Sequence, residues 1–156
     1  SDILHNDDLG HFDFIVSKDT FEHTTNIDKI LLKFHKITSV NGKICLGFGP
    51  LYNFYNGDHG RTGAILPWFH LIIPEKILIR NINKKQNLNI TKIEELGLSK
   101  YSYKDYLNFL NQSKFNMIFF KKNLSDHPFS FFFNIMSKLK IFEEYFTYNI
   151  YCILQK

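Results

Sequence analysis

Cysteine, arginine and long apolar runs are all scarce in this chain, and each scarcity points away from a class of protein. Its two cysteines, Cys45 and Cys152, fall in apolar segments with no CxxC and no histidine at ligand spacing. They read as small buried hydrophobes in a reducing compartment, with no metal centre implied. Arg61 and Arg80 are the only arginines, so the net charge of +4 and the pI near 9.0 rest on lysine. Readers of nucleic acid lean on guanidinium forks for phosphates and guanine edges, which disfavours nucleic acid as a partner. No apolar stretch approaches the roughly 18 residues that span a bilayer, and no signal peptide opens the sequence. A cytoplasmic protein with no membrane partner is the expectation.

Apolar bulk, by contrast, is plentiful. Hydrophobic residues at 44% and aromatic ones at 17% of 156 positions argue against disorder and for one ordinary core. The first residue is Ser rather than Met, and a strand-ending signal follows almost at once, as expected of a piece of a longer fold.

The organising stretch is residues 12–50. Phe12-Asp13-Phe14-Ile15-Val16 has the pattern of a strand buried on both faces. Ser17 to His23 then crowds polar groups past its carboxyl end. Thr24, Thr25 or Asn26 can cap a helix, and Ile27, Ile30, Leu31, Phe34 and Ile37 give it one apolar stripe. Asn41-Gly42 is a stop signal, residues 43–48 form the next strand, and Gly49-Pro50 ends it. Such a unit is parallel and right-handed, and ligands on such sheets sit beyond the carboxyl ends of the strands.

Residues 50–63 read as a loop holding Tyr52, Tyr55, Asp58, His59 and Arg61. Trp68 and His70 lie between Pro67 and Pro74, and Glu75 opens a brief helix to about Ile79. Residues 81–89 look polar and mobile. Ser102 can cap a helix over 103–113, with Tyr106, Leu107 and Leu110 inward. Residues 115–120 are a strand, and 129–142 carry an apolar helical stripe through Phe132, Ile135, Met136, Leu139 and Phe142. That stripe reads first as core, then as a lid or the face of a homodimer, and least as a membrane-surface helix. A strand over 146–154 closes the chain. The alternation predicts an α/β layered sheet.

Several local patterns together resemble a known family. Phe12-Asp13-Phe14-Ile15-Val16-Ser17, Glu22-His23, Asn41-Gly42 and the strand ending at Pro50 are similar to the second half of a class I S-adenosylmethionine-dependent methyltransferase. Residues 57–60 (Gly-Asp-His-Gly), Pro67-Trp68-Phe69-His70 and the ending Tyr148 to Leu154 resemble the same enzymes. The resemblance implies a partial Rossmann-like α/β sheet, mostly parallel, whose antiparallel last strand lies between strands 43–48 and 115–120. Cys45 and Cys152 would then sit on neighbouring strands. It further implies one domain over 1–156, with 51–113 as a substrate-side insertion. The family's glycine-rich loop has no match, so the first strands are expected upstream.

For the cofactor S-adenosylmethionine, the resemblance places Asp2 and Ile3 at the adenine, Ser17 and Lys18 at the methionine portion, and Glu22-His23 at the helix entrance. Their plainer roles are a solvated acid, strand termination and helix capping respectively. Methyl transfer from a sulfonium needs alignment and the removal of one proton, for which a histidine is suited. His59 is the leading candidate base, with Asp58 to orient its ring, and His70 is the second. Tyr52, Tyr55 and Trp68 line the acceptor side, the acceptor being a small molecule or glycan. Ordinary packing is the competing role for both histidines. A non-catalytic binding or scaffold module on a degenerate methyltransferase fold is the alternative to an enzyme.

Overall fold

The computed structural model describes residues 3–5, 9–124 and 128–156, together with the side chains of all these but His5. The sheet is built first. β1 (Phe12–Lys18) leads through a short 3-10 turn at Phe21–His23 into α1 (Ile27–Ile37), and β2 (Thr38–Phe48) returns parallel to β1. β3 (Asn116–Lys122) and β4 (Ile150–Gln155) complete an open mixed sheet of order β1-β2-β4-β3. β4 is antiparallel to both of its neighbours. The result is α/β, with the last strand inserted between β2 and β3 as expected.

One face of this sheet makes the core. Ile44, Leu46 and Phe48 of β2 and Ile150, Cys152 and Leu154 of β4 are buried under α1 and α4 (Tyr103–Gln112). α1 contributes Ile27, Ile30, Leu31, Phe34 and Ile37, the stripe its spacing predicts, and α4 contributes Tyr103, Tyr106 and Leu110. Cys45 and Cys152 are free; Cys152 pairs with Leu46 and Cys45 with Ile153, which puts the two thiols on opposite faces.

Several boundaries differ from expectation. α1 stops at Ile37 because the Thr38 backbone N–H and Oγ1 both bond the Phe34 carbonyl, so Asn41-Gly42 falls inside β2, where the β1–β2 register shifts. Two further helices, α2 (Phe69–Ile72) and α3 (Glu75–Gln86), follow. α3 runs through the stretch expected to be mobile, because Leu78 and Ile82 bury against Ile93 and Leu98 in a second small core. The apolar stripe over 129–142 is not one core helix. Only α5 (Ser130–Met136) is helical within it; turns follow through Phe142 and α6 (Glu143–Phe146) begins beyond, with Phe133 buried and Phe131, Ile135, Leu139 and Ile141 exposed. The break is held by Lys122, whose Nζ donates to the Ser137 carbonyl and to Glu143 Oε1. The last strand starts only at Ile150, because Asn123 bonds the Phe146 carbonyl and the Tyr148 N–H and so fixes a turn there.

Candidate functional site

The carboxyl ends of β1 and β2 each launch a segment rich in ionisable groups, and the two segments meet. After β1, Asp19 N–H still bonds the Gly47 carbonyl at 2.8 Å before the chain turns. Phe21 drops into the core, its ring 5.5 Å from that of Phe48. The backbone of this bend is pinned from a distant part of the chain. Tyr106 Oη donates to the Phe21 carbonyl at 3.1 Å, and Ser99 Oγ donates to the Glu22 carbonyl at 2.9 Å. Burying Phe21 therefore fixes where Glu22 and His23 emerge.

After β2, a cis Gly49–Pro50 peptide opens a run of turns through residues 51–63. Leu51 and Phe54 are fully buried, and Gly57 has no room for a side chain, since a Cβ there would lie 2.1 Å from the Leu51 carbonyl oxygen. These contacts fold the loop back over the sheet's rim. His59, at φ 52°, arrives with its ring centroid 4.7 Å from that of His23.

Both rings are tethered. His23 Nδ1 donates to the Gly97 carbonyl at 2.8 Å, the tautomer following from a carbonyl's being only an acceptor. The His59 ring bonds the Pro50 carbonyl, while its buried Nε2 has no partner. Glu22 Oε2 is likewise buried and unpartnered. Burial pushes the Glu22 carboxyl up, the His23 ring and backbone hydrogen bonds opposing it. Burial, followed by the His23 and Arg61 charges, pushes His59 down, so its imidazole is neutral at physiological pH. The result is a neutral imidazole with an unpartnered nitrogen against the His23 ring, and a neutral imidazole is the form that can take a proton.

The other candidates sort by where their elements put them. Asp58 is 3% exposed, but its carboxylate is taken up locally: Oδ1 accepts from Gly60 N–H, and Oδ2 from the Thr62 N–H and hydroxyl. The Pro50 carbonyl, not Asp58, holds the His59 ring. Arg61 anchors the same loop through the carbonyls of Leu96 and Gly97. His70 lies inside the fold, 3% exposed, with Nε2 at 2.8 Å from the Tyr52 carbonyl and its ring edge-on to Tyr52. Burial, with the charges of Glu75, Asp58 and Glu94, pushes the Tyr52 phenol up to about 12.

Tyr55 meets Trp68 edge-on at 5.9 Å, and Trp68 lines an apolar cleft of about 380 Å³ with Leu71, Ile72, Phe142, Tyr145 and Phe146. Lys18 lines a polar cleft of about 320 Å³ at the strand ends, with Asp19, Gly49, Tyr148 and Asn149. Ser17 is half-buried on β1 opposite Leu46. Ile3 packs on the core beside α1, and Asp2 lies outside the described residues. Among the described residues no group of three or more His, Cys, Asp or Glu side chains is placed to hold a metal ion. No family model and no curated protein matches this chain.

Sequence reasoning missed the supports. Nothing in the spacing of Ser99 and Tyr106 relates them to Glu22, and no pattern marks the Pro50 and Gly97 carbonyls as tethers for two imidazoles.

Proposed function

We propose that the chain is the carboxyl-terminal half of a class I S-adenosylmethionine-dependent methyltransferase domain, transferring a methyl group to a small-molecule or glycan acceptor. The observation that carries this reading is the meeting of His23 and His59, 4.7 Å apart, at the carboxyl rim of two parallel strands. The strand order, with antiparallel β4 between β2 and β3, supports it.

The residues fit the cofactor in part. The Lys18–Asp19 cleft and the orphaned oxygen of Glu22 offer polar groups, the latter an acceptor for an ammonium group. The glycine-rich cradle would come from polypeptide pairing on the free edge of β1. A bound sulfonium donor supplies an already activated methyl group. The protein's own task is then to align the acceptor and remove one proton, which His59 Nε2 does while the Pro50 carbonyl steadies its ring. Burial raises the Glu22 carboxyl above its ordinary value, with the His23 charge and backbone hydrogen bonds opposing the shift.

The experiment uses protein containing both halves of the domain. S-adenosylhomocysteine at a hundredfold excess over its Kd stabilises it by about 2.7 kcal/mol in thermal melts. His59→Ala lowers the methylation rate by about 10²–10⁴-fold and leaves that stabilisation intact. Because His59 titrates below its ordinary value of 6.5, the rate holds on acidification until below that pH. A rate unchanged in His59→Ala removes the base assignment. The second reading is a scaffold that kept the fold and lost the donor site. Absence of any stabilisation by S-adenosylhomocysteine decides for that reading.

A further inference from the structure

We propose that the surface made by α5, α6 and the turn between them, continued by α2, seats on an anionic lipid bilayer. Six large apolar side chains of this surface stand 40–82% exposed: Phe131, Phe132, Ile135, Leu139, Ile141 and Phe142. They fall within one twelve-residue stretch, and Phe132 and Phe142 join it to α2 through Phe146. Phe132 and Phe142 both meet the Phe146 ring, Trp68 meets it from the other side at 5.2 Å, and Ile72 is 71% exposed beside them. An apolar patch of this size marks an interaction site rather than ordinary surface.

Charge selects the occupant. Lys138 and Lys140 are exposed and alternate in sequence with Leu139 and Ile141. The acids beside them are engaged inward: Glu143 Oε1 accepts from Lys122 at 2.6 Å, and Glu144 Oε1 accepts from the Tyr103 N–H and from Asn53 Nδ2. The patch thus presents apolar bulk and positive charge together. Protein interfaces deplete lysine and enrich arginine, whereas a membrane surface takes apolar side chains into the acyl boundary and lysine ammoniums to the lipid phosphates. Trp68 and Tyr145, joined by a bond from the indole Nε1 to the Tyr145 carbonyl, border the patch as aromatics do at a bilayer interface. Among the described residues no helix is long and apolar enough to cross a membrane, so the contact is peripheral. This inference does not depend on the methyl-transfer reading, since its readout is lipid binding.

The test is co-sedimentation with phosphatidylcholine vesicles prepared with and without phosphatidylserine. The protein is expected to pellet with the anionic vesicles and to stay largely in solution with the neutral ones. Phe131→Ser with Ile141→Ser, at positions 77% and 82% exposed, leaves the melting temperature in place and weakens partitioning by about tenfold or more. Lys138→Gln with Lys140→Gln weakens it about thirtyfold, and added salt has the same effect on the unaltered protein. No pelleting with anionic vesicles, or equal pelleting with neutral ones, overturns the proposal. A dimer in analytical ultracentrifugation that the Phe131/Ile141 variant dissolves, without vesicle binding, overturns it in favour of a second copy of this chain.

Discussion

The two faces of the sheet are made from alternate residues of the same four strands, yet they differ completely in what covers them. On one, Ile44, Leu46, Phe48, Ile150, Cys152 and Leu154 are each no more than 2% exposed beneath α1 and α4. On the other, Phe14, Val16 and Phe119 stand 57%, 64% and 44% exposed. Gly47 on that open face is flat enough for the Tyr151 ring to lie across it, where a Cβ would come within 2.6 Å of the ring. Parallel strands are ordinarily buried on both sides. The open face therefore has apolar residues of the kind an interior holds, and among the described residues no strand pairs with the outer edge of β1. The contrast separates the face that these residues cover with their own helices from the face they leave exposed.

The sharpest test of the contrast is on the packed face. Ile44 is fully buried, so Ile44→Ala removes three carbons from a close-packed layer and destabilises the chain by about 2–5 kcal/mol in denaturant unfolding. A loss below about 1 kcal/mol would show that the layer under α1 and α4 is loosely formed. Next in size is Tyr106→Phe. Tyr106 is 1% exposed, and its hydroxyl joins Ser99 Oγ to the Phe21 carbonyl, so its removal costs about 1–3 kcal/mol. The same hydroxyl pins the bend carrying Glu22 and His23, so on the proposed methyl-transfer reading this variant also lowers the methylation rate of protein containing both halves. Tyr106→Phe with full stability and full rate would separate the core from the rim.

A smaller effect is expected at the start of α4. Ser102 Oγ accepts from the Asp105 N–H at 3.1 Å, and the Asp105 carboxylate accepts from the Ser102 N–H at 2.8 Å. Ser102→Ala removes half of this reciprocal cap and costs about 1 kcal/mol, read as a lower melting temperature. An unchanged melting temperature would mean that packing of Tyr103, Tyr106 and Leu110 alone sets the helix start.

That cap was legible in the sequence, and so was much of the packed side. The stripe of α1 and the β1–α1–β2 unit follow from local periodicity, which decides structure where one face is buried. What escaped were the places where partners distant in sequence decide. α3 looks polar beyond Ile79, and only Ile93 and Leu98, brought in by a later turn, give Ile82 something to pack against. The stripe over 129–142 has helical spacing throughout, but Lys122 draws the Ser137 carbonyl and Glu143 together and breaks it. At the rim, the histidines and Glu22 were visible as candidates because polar residues crowd past a strand end. Their tethers were not, since backbone carbonyls carry no signature in sequence. Asp58 beside His59 suggested an orienting pair, yet neighbours in sequence point different ways in a tight turn, and Thr62 was the better partner.

The smallest effect bears most directly on the open face. Phe14→Ser replaces a side chain that is 57% exposed, so in the isolated chain it changes stability by no more than about 0.5 kcal/mol. The same substitution in protein carrying the proposed first half of the domain removes a ring from a filled layer, and the loss rises toward the 3–5 kcal/mol typical of a buried aromatic. The difference between the two measurements, rather than either alone, reports whether a second layer forms there. If the isolated chain already loses more than about 1 kcal/mol, something covers the face in solution, and sedimentation velocity shows whether it is a second copy. If neither form responds, Phe14 stays exposed in both, and the completion of the sheet on that side is wrong, whatever the rim of His23 and His59 turns out to bind.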